Sequence, residues 1–303
     1  MPIPLHDLTT RTASLALRAL AALALAGAVF ADAPPVRFML TFDDGPSLWS
    51  SAPTSHIRQQ LKDNPYTPNI KAIFFVQTAH IDHGGSPAGQ ALMHEACQEG
   101  HLLAVHSGTP RGHIPHTKMP EAELVESLNA GKQAIAAQCG QDAGVVRPPD
   151  WEFNDSTLAT YRQVGLGMVL TDLSANDGKI YGWNISLRRR SHLHHELELV
   201  AQARAEGKLP IDGDVIPVVA TFHDTNTYTA AHMTEYLQIL IEESAKVGLP
   251  LANPPFYTDS ATLRHAAQVR ANGPGFLCDG ASRSVTLRER LFGDPSLMRK
   301  GCL

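Results

Sequence analysis

The 303-residue sequence predicts an α/β domain, either an open doubly wound sheet or a β/α barrel, and three observations carry that expectation. Short apolar runs alternate with amphipathic stretches at helical spacing. Most of the apolar runs lack strict in–out alternation, which suits strands covered on both faces of a parallel sheet. Titratable residues then stand at the carboxyl ends of those runs, where parallel α/β folds gather their sites.

The apolar runs come in order. Val36–Phe42 is first, Ala72–Gln77 second and Leu102–His106 third. Gly144–Arg147 is short, Leu166–Asp172 is fifth and Val215–His223 sixth. Helical patterns lie between them at Ser55–Leu61, Pro87–Glu99, Pro120–Gln138, Asp155–Val164, Ser191–Glu206 and Ala230–Val247. Pro120, with Glu121 and Glu123 behind it, favours a helix start, because proline suits the first turn and acids suit the positive dipole end. Asp155 is a candidate cap. Beyond about Asn253 the periodicity fades into Gly, Pro and Cys, which reads as an irregular extension.

The first thirty-odd residues form a separate unit. Arg11 and Arg18 precede the small apolar run Ala19–Phe30, and small-x-small sites allow cleavage after Ala31 or Ala33. The run is too short to span a bilayer. The domain layout expected is a signal peptide over 1–31, the α/β domain over 34–252 and an extension over 253–303. The cleaved protein has no later membrane-spanning segment and belongs in the periplasm or outside the cell. Cys97, Cys139, Cys278 and Cys302 fit two disulfides in such a compartment. Chain proximity favours Cys278–Cys302, which leaves Cys97–Cys139 to tie two helices. With hydrophobic residues at 43% and charged residues at 18%, disorder is excluded. A net charge of −5 argues against a nucleic-acid partner, which needs a basic face.

Histidine is abundant, at 15 residues. Its placement is more telling than its number. The first run ends in Thr41-Phe42-Asp43-Asp44-Gly45-Pro46. The third ends in His106, the fourth in Arg147, the fifth in Asp172 and the sixth in His223-Asp224. His106, His113 and His116 lie within eleven residues of Gly/Pro-rich loop. Two imidazoles and a carboxylate can hold a divalent ion with a coordination position left for water. Of two adjacent acids at a strand end, one can bind metal while the other takes a proton. No GxSxG elbow and no HExxH pair is present, which disfavours a serine hydrolase and a zincin. His192, His194 and His195 after the Arg188–Arg190 triplet read as a solvated helix face. His80, His83, His94 and His101 read as surface or packing residues, and Asn184-Ile185-Ser186 as a chance sequon.

These motifs, in this order, resemble a polysaccharide deacetylase with a NodB homology domain, carbohydrate esterase family four. The resemblance rests on TFDDGP at Thr41–Pro46, AIFFV at Ala72–Val76, EGHLLAVHS at Glu99–Ser107 and HIPHTKMPEAEL at His113–Leu124. It continues through Arg147-Pro148-Pro149-Asp150, Asp177 and Thr221-Phe222-His223-Asp224. It covers about residues 36–247.

It implies a distorted (β/α) barrel and a hydrolase acting on non-peptide carbon–nitrogen bonds of an N-acetylated polysaccharide or oligosaccharide. It also implies zinc or another divalent metal on Asp44, His106 and His113, with His116 the alternative to His113. Asp43 would be the general base, oriented by Arg147. His223 would be the general acid, held by Asp177, with Asp172 the alternative. The backbone N–H near Asp150 would share the oxyanion site with the metal. The sequence departs from the family at four places. Six residues separate His106 from His113, Asp150 replaces an aromatic, Gly178 replaces a tryptophan and Thr221 replaces a leucine of the acetyl pocket. Trp151 or Trp183 is the candidate replacement wall of the groove. An O-acetyl esterase of the same fold and a catalytically weak glycan-binding member are the alternative readings.

Overall fold

A computed structural model describes residues 33–141, 144–177, 187–273 and 276–277. The expected signal peptide, Gly178, Trp183, the Asn184 sequon, Cys278 and Cys302 lie outside the described residues. Among the described residues, eight parallel strands form one sheet, which curls into a half-barrel with helices packed on it. The strands are β1 (Val36–Asp43), β2 (Ile73–Gln77), β3 (Leu102–Ser107), β4 (Val145–Val146), β5 (Gly167–Met168), β6 (Leu173–Ser174), β7 (Ile216–His223) and β8 (Leu251–Phe256). Their order is β5-β4-β3-β2-β1-β7-β6, with β8 also pairing β1.

The helices are α1 (Pro53–Lys62), α2 (Pro87–Gln98), α3 (Glu121–Cys139), α4 (Asp155–Gln163), α5 (Arg189–Ala205), α6 (Thr227–Lys246) and α7 (Ser260–Asn272). Their starts follow local chemistry. Ser86 caps α2 by accepting the Gly89 N–H, and Asn226 caps α6 by accepting from Tyr228 and Thr229. Asn154, not Asp155, caps α4, forming a reciprocal capping box with Thr157. The Asn side chain already reaches the third helical N–H, which leaves Asp155 as the first helical residue.

Strand β1 is buried along nearly its whole length, as its uninterrupted apolar run requires. On one face Phe42 stacks between Phe74 of β2 and Phe222 of β7, and Phe222 meets Tyr236 of α6 edge-on at 5.2 Å. On the other face Met39, Ile73, Phe75, Ala104 and Val219 pack against Leu263, Ala266 and Ala267 of α7.

The run from Leu166 to Asp172 is not one strand. It splits into β5 and β6, which lie at opposite ends of the strand order. Helix α7 and strand β8 replace the irregular structure expected after Asn253. Pro254 and Pro255 hide the strand pattern, yet β8 remains ladder-bonded because it pairs β1 only at Val36 and Phe38. The Cys97–Cys139 disulfide joins the ends of α2 and α3.

Candidate active site

The chemistry-bearing residues gather at the carboxyl ends of the strands. In the parallel ladder Asp43 of β1 stands beside His223 of β7. His106 is the last residue but one of β3, next to the β4 strand that runs into Arg147.

Asp43 is buried and held from two sides. Arg147 Nη1 donates to its Oδ1 at 2.8 Å, and the Trp151 indole N–H donates to its Oδ2 at 3.4 Å. Arg147 is itself fully enclosed. Its Nε and Nη2 donate to the carbonyls of Val169 and Leu170, and its Nη1 also reaches Thr41 Oγ1. The guanidinium fork is therefore fixed before any substrate arrives. The Thr221 hydroxyl lies 3.0 Å from the Thr41 hydroxyl, so this departure from the family continues a polar layer beneath Asp43.

Asp44 has a φ of 75°, a left-handed conformation that turns its carboxylate away from that of Asp43. His106 Nε2 lies 3.2 Å and His113 Nε2 3.3 Å from Asp44 Oδ1. His106 Nδ1–H donates to the Arg147 carbonyl at 2.8 Å, which fixes the ring with Nε2 facing inward. Burial by itself would raise the Asp44 pKa. The imidazoles of His106, His113 and His223 overcome it and hold the carboxyl well below the usual range. Burial likewise opposes protonation of His106, yet Asp44 and Asp43 push its pKa up.

The donor atoms of Asp44, His106 and His113 lie within 4.8 Å of one another. Asp44 Oδ1 and His106 Nε2 are buried without a hydrogen-bond partner. Leaving such atoms unpaired is expensive, of order 1–3 kcal/mol each. One carboxylate oxygen and two imidazole nitrogens are a ligand set that zinc favours. These residues fit a divalent cation.

His116 is elsewhere. It is buried, its Nδ1 lies 2.8 Å from the Tyr161 hydroxyl, and burial pushes its pKa down to about 3. The longer loop thus swings His113, and not His116, to Asp44.

His223 Nδ1–H donates to Asp177 Oδ1 at 2.8 Å. Asp177 also accepts the His223 backbone N–H at 2.8 Å and the Thr229 hydroxyl at 2.6 Å, and its carbonyl accepts from the Asn226 amide. The first turn of α6 therefore positions the carboxylate that positions the imidazole. Burial works against a charged imidazole, but Asp177, Asp44 and Asp43 raise the His223 pKa to about 10. A cation neutralising Asp44 would bring it back toward neutrality.

Asp172 does not touch His223. It pairs with Arg270 of α7 at 2.5 Å and accepts the Val219 N–H at 2.8 Å.

Sequence reasoning left Asp224 and His83 without roles. Asp224 is buried, its Oδ2 accepts from Thr54 Oγ1 at 2.7 Å, and burial pushes its pKa up to about 7. A Cβ on Gly45 would fall 2.1 Å from that oxygen, so the motif glycine is demanded by close approach. His83 Nδ1 bonds the Pro46 carbonyl at 2.9 Å and ties the β2 loop to the β1 loop. Only the spacing of these residues behind strand ends hinted at either contact. His192, expected on a solvated face, is buried, with Nε2 2.8 Å from the Ser174 carbonyl.

A family model described as polysaccharide deacetylase matches residues 31–169. Over that stretch, a little under half of its length, the chain is similar to the polysaccharide deacetylases. Among solved structures it is similar to the chitin deacetylase from the fungal pathogen Colletotrichum lindemuthianum. The two are 19% identical over 72% of this chain and 85% of that one, with a TM-score of 0.52. It is also similar to the Xyl-CE4 domain of a multidomain xylanase from the hindgut metagenome of Trinervitermes trinervoides. That pair is 20% identical over 79% and 95% of the two chains, with a TM-score of 0.51. At these identities the likeness is one of fold, and it agrees with the curled parallel sheet. No curated protein matches in sequence. Among the described residues, no helix is long and apolar enough to cross a membrane.

Proposed function

We propose that this protein is a metal-dependent hydrolase that removes N-acetyl groups from a glycan outside the cytoplasm. The observation that carries the reading is the orphaned pair Asp44 Oδ1 and His106 Nε2, facing His113 beside a separately anchored Asp43. Asp44, His106 and His113 would hold zinc or a similar ion. The chemistry supplied by such an ion is polarisation of the acetyl carbonyl and acidification of a water molecule.

The remaining work falls to the chain. Asp43 takes the proton from the attacking water, and Arg147 and Trp151 keep its two oxygens aimed. Proton transfer by a positioned group contributes roughly 10²–10⁴ in rate. His223, with Nδ1–H committed to Asp177, presents Nε2 to the leaving amine and protonates it. The backbone N–H of Asp150 would receive the developing oxyanion. Asp150, exposed at the site's mouth, disfavours polyanionic glycans.

The experiment is acetate release from chitooligosaccharides, peptidoglycan, poly-N-acetylglucosamine and acetylxylan. Release from one or more of the first three supports the reading. Release from acetylxylan alone replaces it with an O-acetyl esterase, and release from none leaves a glycan-binding role.

A further inference from the structure

The turn after β4 holds two successive non-glycine residues in left-handed backbone, Asp150 at φ 55° and Trp151 at φ 56°. Each such residue costs of order 1–3 kcal/mol, and the conformation persists only where its surroundings enforce it. Here it aims two side chains into the site. Trp151 reaches Asp43. Asp150 turns toward His113, with Oδ1 3.8 Å from the ring Nδ1.

The His113 ring therefore lies between two carboxylates, Asp44 on Nε2 at 3.3 Å and Asp150 on Nδ1. The comparison with His106 is instructive. The Nδ1 of His106 is taken by a buried backbone carbonyl at 2.8 Å. Among the described residues, His113 has no backbone partner for its Nδ1, and Asp150 has no other ion pair. His113 also sits on a loop, with its side chain one-third exposed, so packing alone fixes it less well. Metal-ligating histidines need a fixed tautomer and ring orientation, and an outer carboxylate on the far nitrogen supplies both. At 3.8 Å the neutral, metal-ligating imidazole would meet Asp150 through a bridging water, or directly after a small side-chain rotation.

We propose that Asp150 is the outer-sphere carboxylate of His113, setting how tightly the Asp44–His106–His113 site retains a divalent cation. The proposal rests on the metal reading above. An aromatic residue, which the sequence motif would otherwise place here, offers no such charge.

The test is Zn²⁺ affinity of the full chain, measured by competition with a chromogenic chelator, for wild type, Asp150→Asn, Asp150→Glu and His113→Ala. The double variant of Asp150→Asn with His113→Ala completes the cycle. Asp150→Asn weakens zinc binding about tenfold to a hundredfold, while metal-free thermal unfolding stays where it was. Asp150→Glu keeps most of the affinity. In the His113→Ala background the Asp150 change has no further effect. Wild-type affinity in Asp150→Asn overturns the proposal, as does an equal loss with His113 absent. A wild-type chain that takes up no Zn²⁺ overturns both this proposal and the metal reading. A zinc effect without acetate release from any glycan leaves this proposal standing and sinks the deacetylase reading alone.

Discussion

Two adjacent acids, Asp43 and Asp44, do different work because one torsion separates them. The left-handed φ of Asp44 sends its carboxylate to His106 and His113, while Asp43 stays in extended backbone under Arg147 and Trp151. Asp43→Asn is therefore expected to keep zinc and lose about 10²–10⁴ in turnover, whereas Asp44→Asn loses both. Metal content and acetate release measured on the same preparations check this. The histidine loop gives a second test at this scale. His113→Ala should weaken zinc retention sharply. His116→Ala should retain it and lower the melting temperature, because it vacates a buried site beside Tyr161. Metal loss in the second variant and not the first would reverse the assignment. The identities of Asp43, Asp44, His106 and His223 were legible because each ends a strand-like run. The Trp151 contact was not, since nothing in a Pro-Pro-Asp-Trp string announces two consecutive left-handed residues. Nor was the Asp224 contact with Gly45, which joins residues 179 positions apart in sequence through neighbouring strands.

At the scale of elements, the staples and buried histidines set stability. The disulfide joins α2 to α3 across 42 residues. Replacing both cysteines by serine should lower stability by about 2–4 kcal/mol, read from denaturant unfolding. His101 lies at the start of β3 and is buried, with its Nδ1 accepting the Ala72 N–H at 3.1 Å. Burial, aided by Lys71 and Arg58, pushes its pKa down to about 3. The unfolded chain takes up this proton near its ordinary value of 6.5, and the folded chain does not. Stability from the neutral ring is thus complete above pH 6.5 and declines as pH falls toward 3, by at most ~1.4 kcal/mol per unit. His101→Asn should show a shallower decline between pH 6 and pH 4 than the wild type, by urea midpoints. Parallel declines would refute it. Helices with clear caps and long strands were readable at this scale. Strand β8 was not, because its prolines break the pattern while its few bonds to β1 tolerate them.

For the molecule as a whole, α7 closes the inner face of the curled sheet. It delivers Arg270, fully buried, to Asp172 between the strands, with its guanidinium stacked 4.3 Å from the Phe276 ring. Asp172 is also close enough to stabilise the Arg147 charge. Arg270→Met should cost about 3–5 kcal/mol, because it strands a buried carboxylate, and adding Asp172→Leu should recover part of that loss. A single variant as stable as the wild type would show that the segment after Asn253 contributes little to the fold. That segment read as irregular in sequence because α7 presents small residues, Ala266 and Ala267, in place of the strong apolar stripe that marks an amphipathic helix. The central claim concerns the whole assembled site, where the ends of β1, β3 and β7 and the β4 turn meet. Its most direct measurement is acetate release from N-acetylated glycans by the purified chain, first stripped by a chelator and then titrated with Zn²⁺. The account predicts no release from the stripped chain and recovery that saturates near one Zn²⁺ per chain. Release that persists without metal, or no release at full zinc loading, would contradict it.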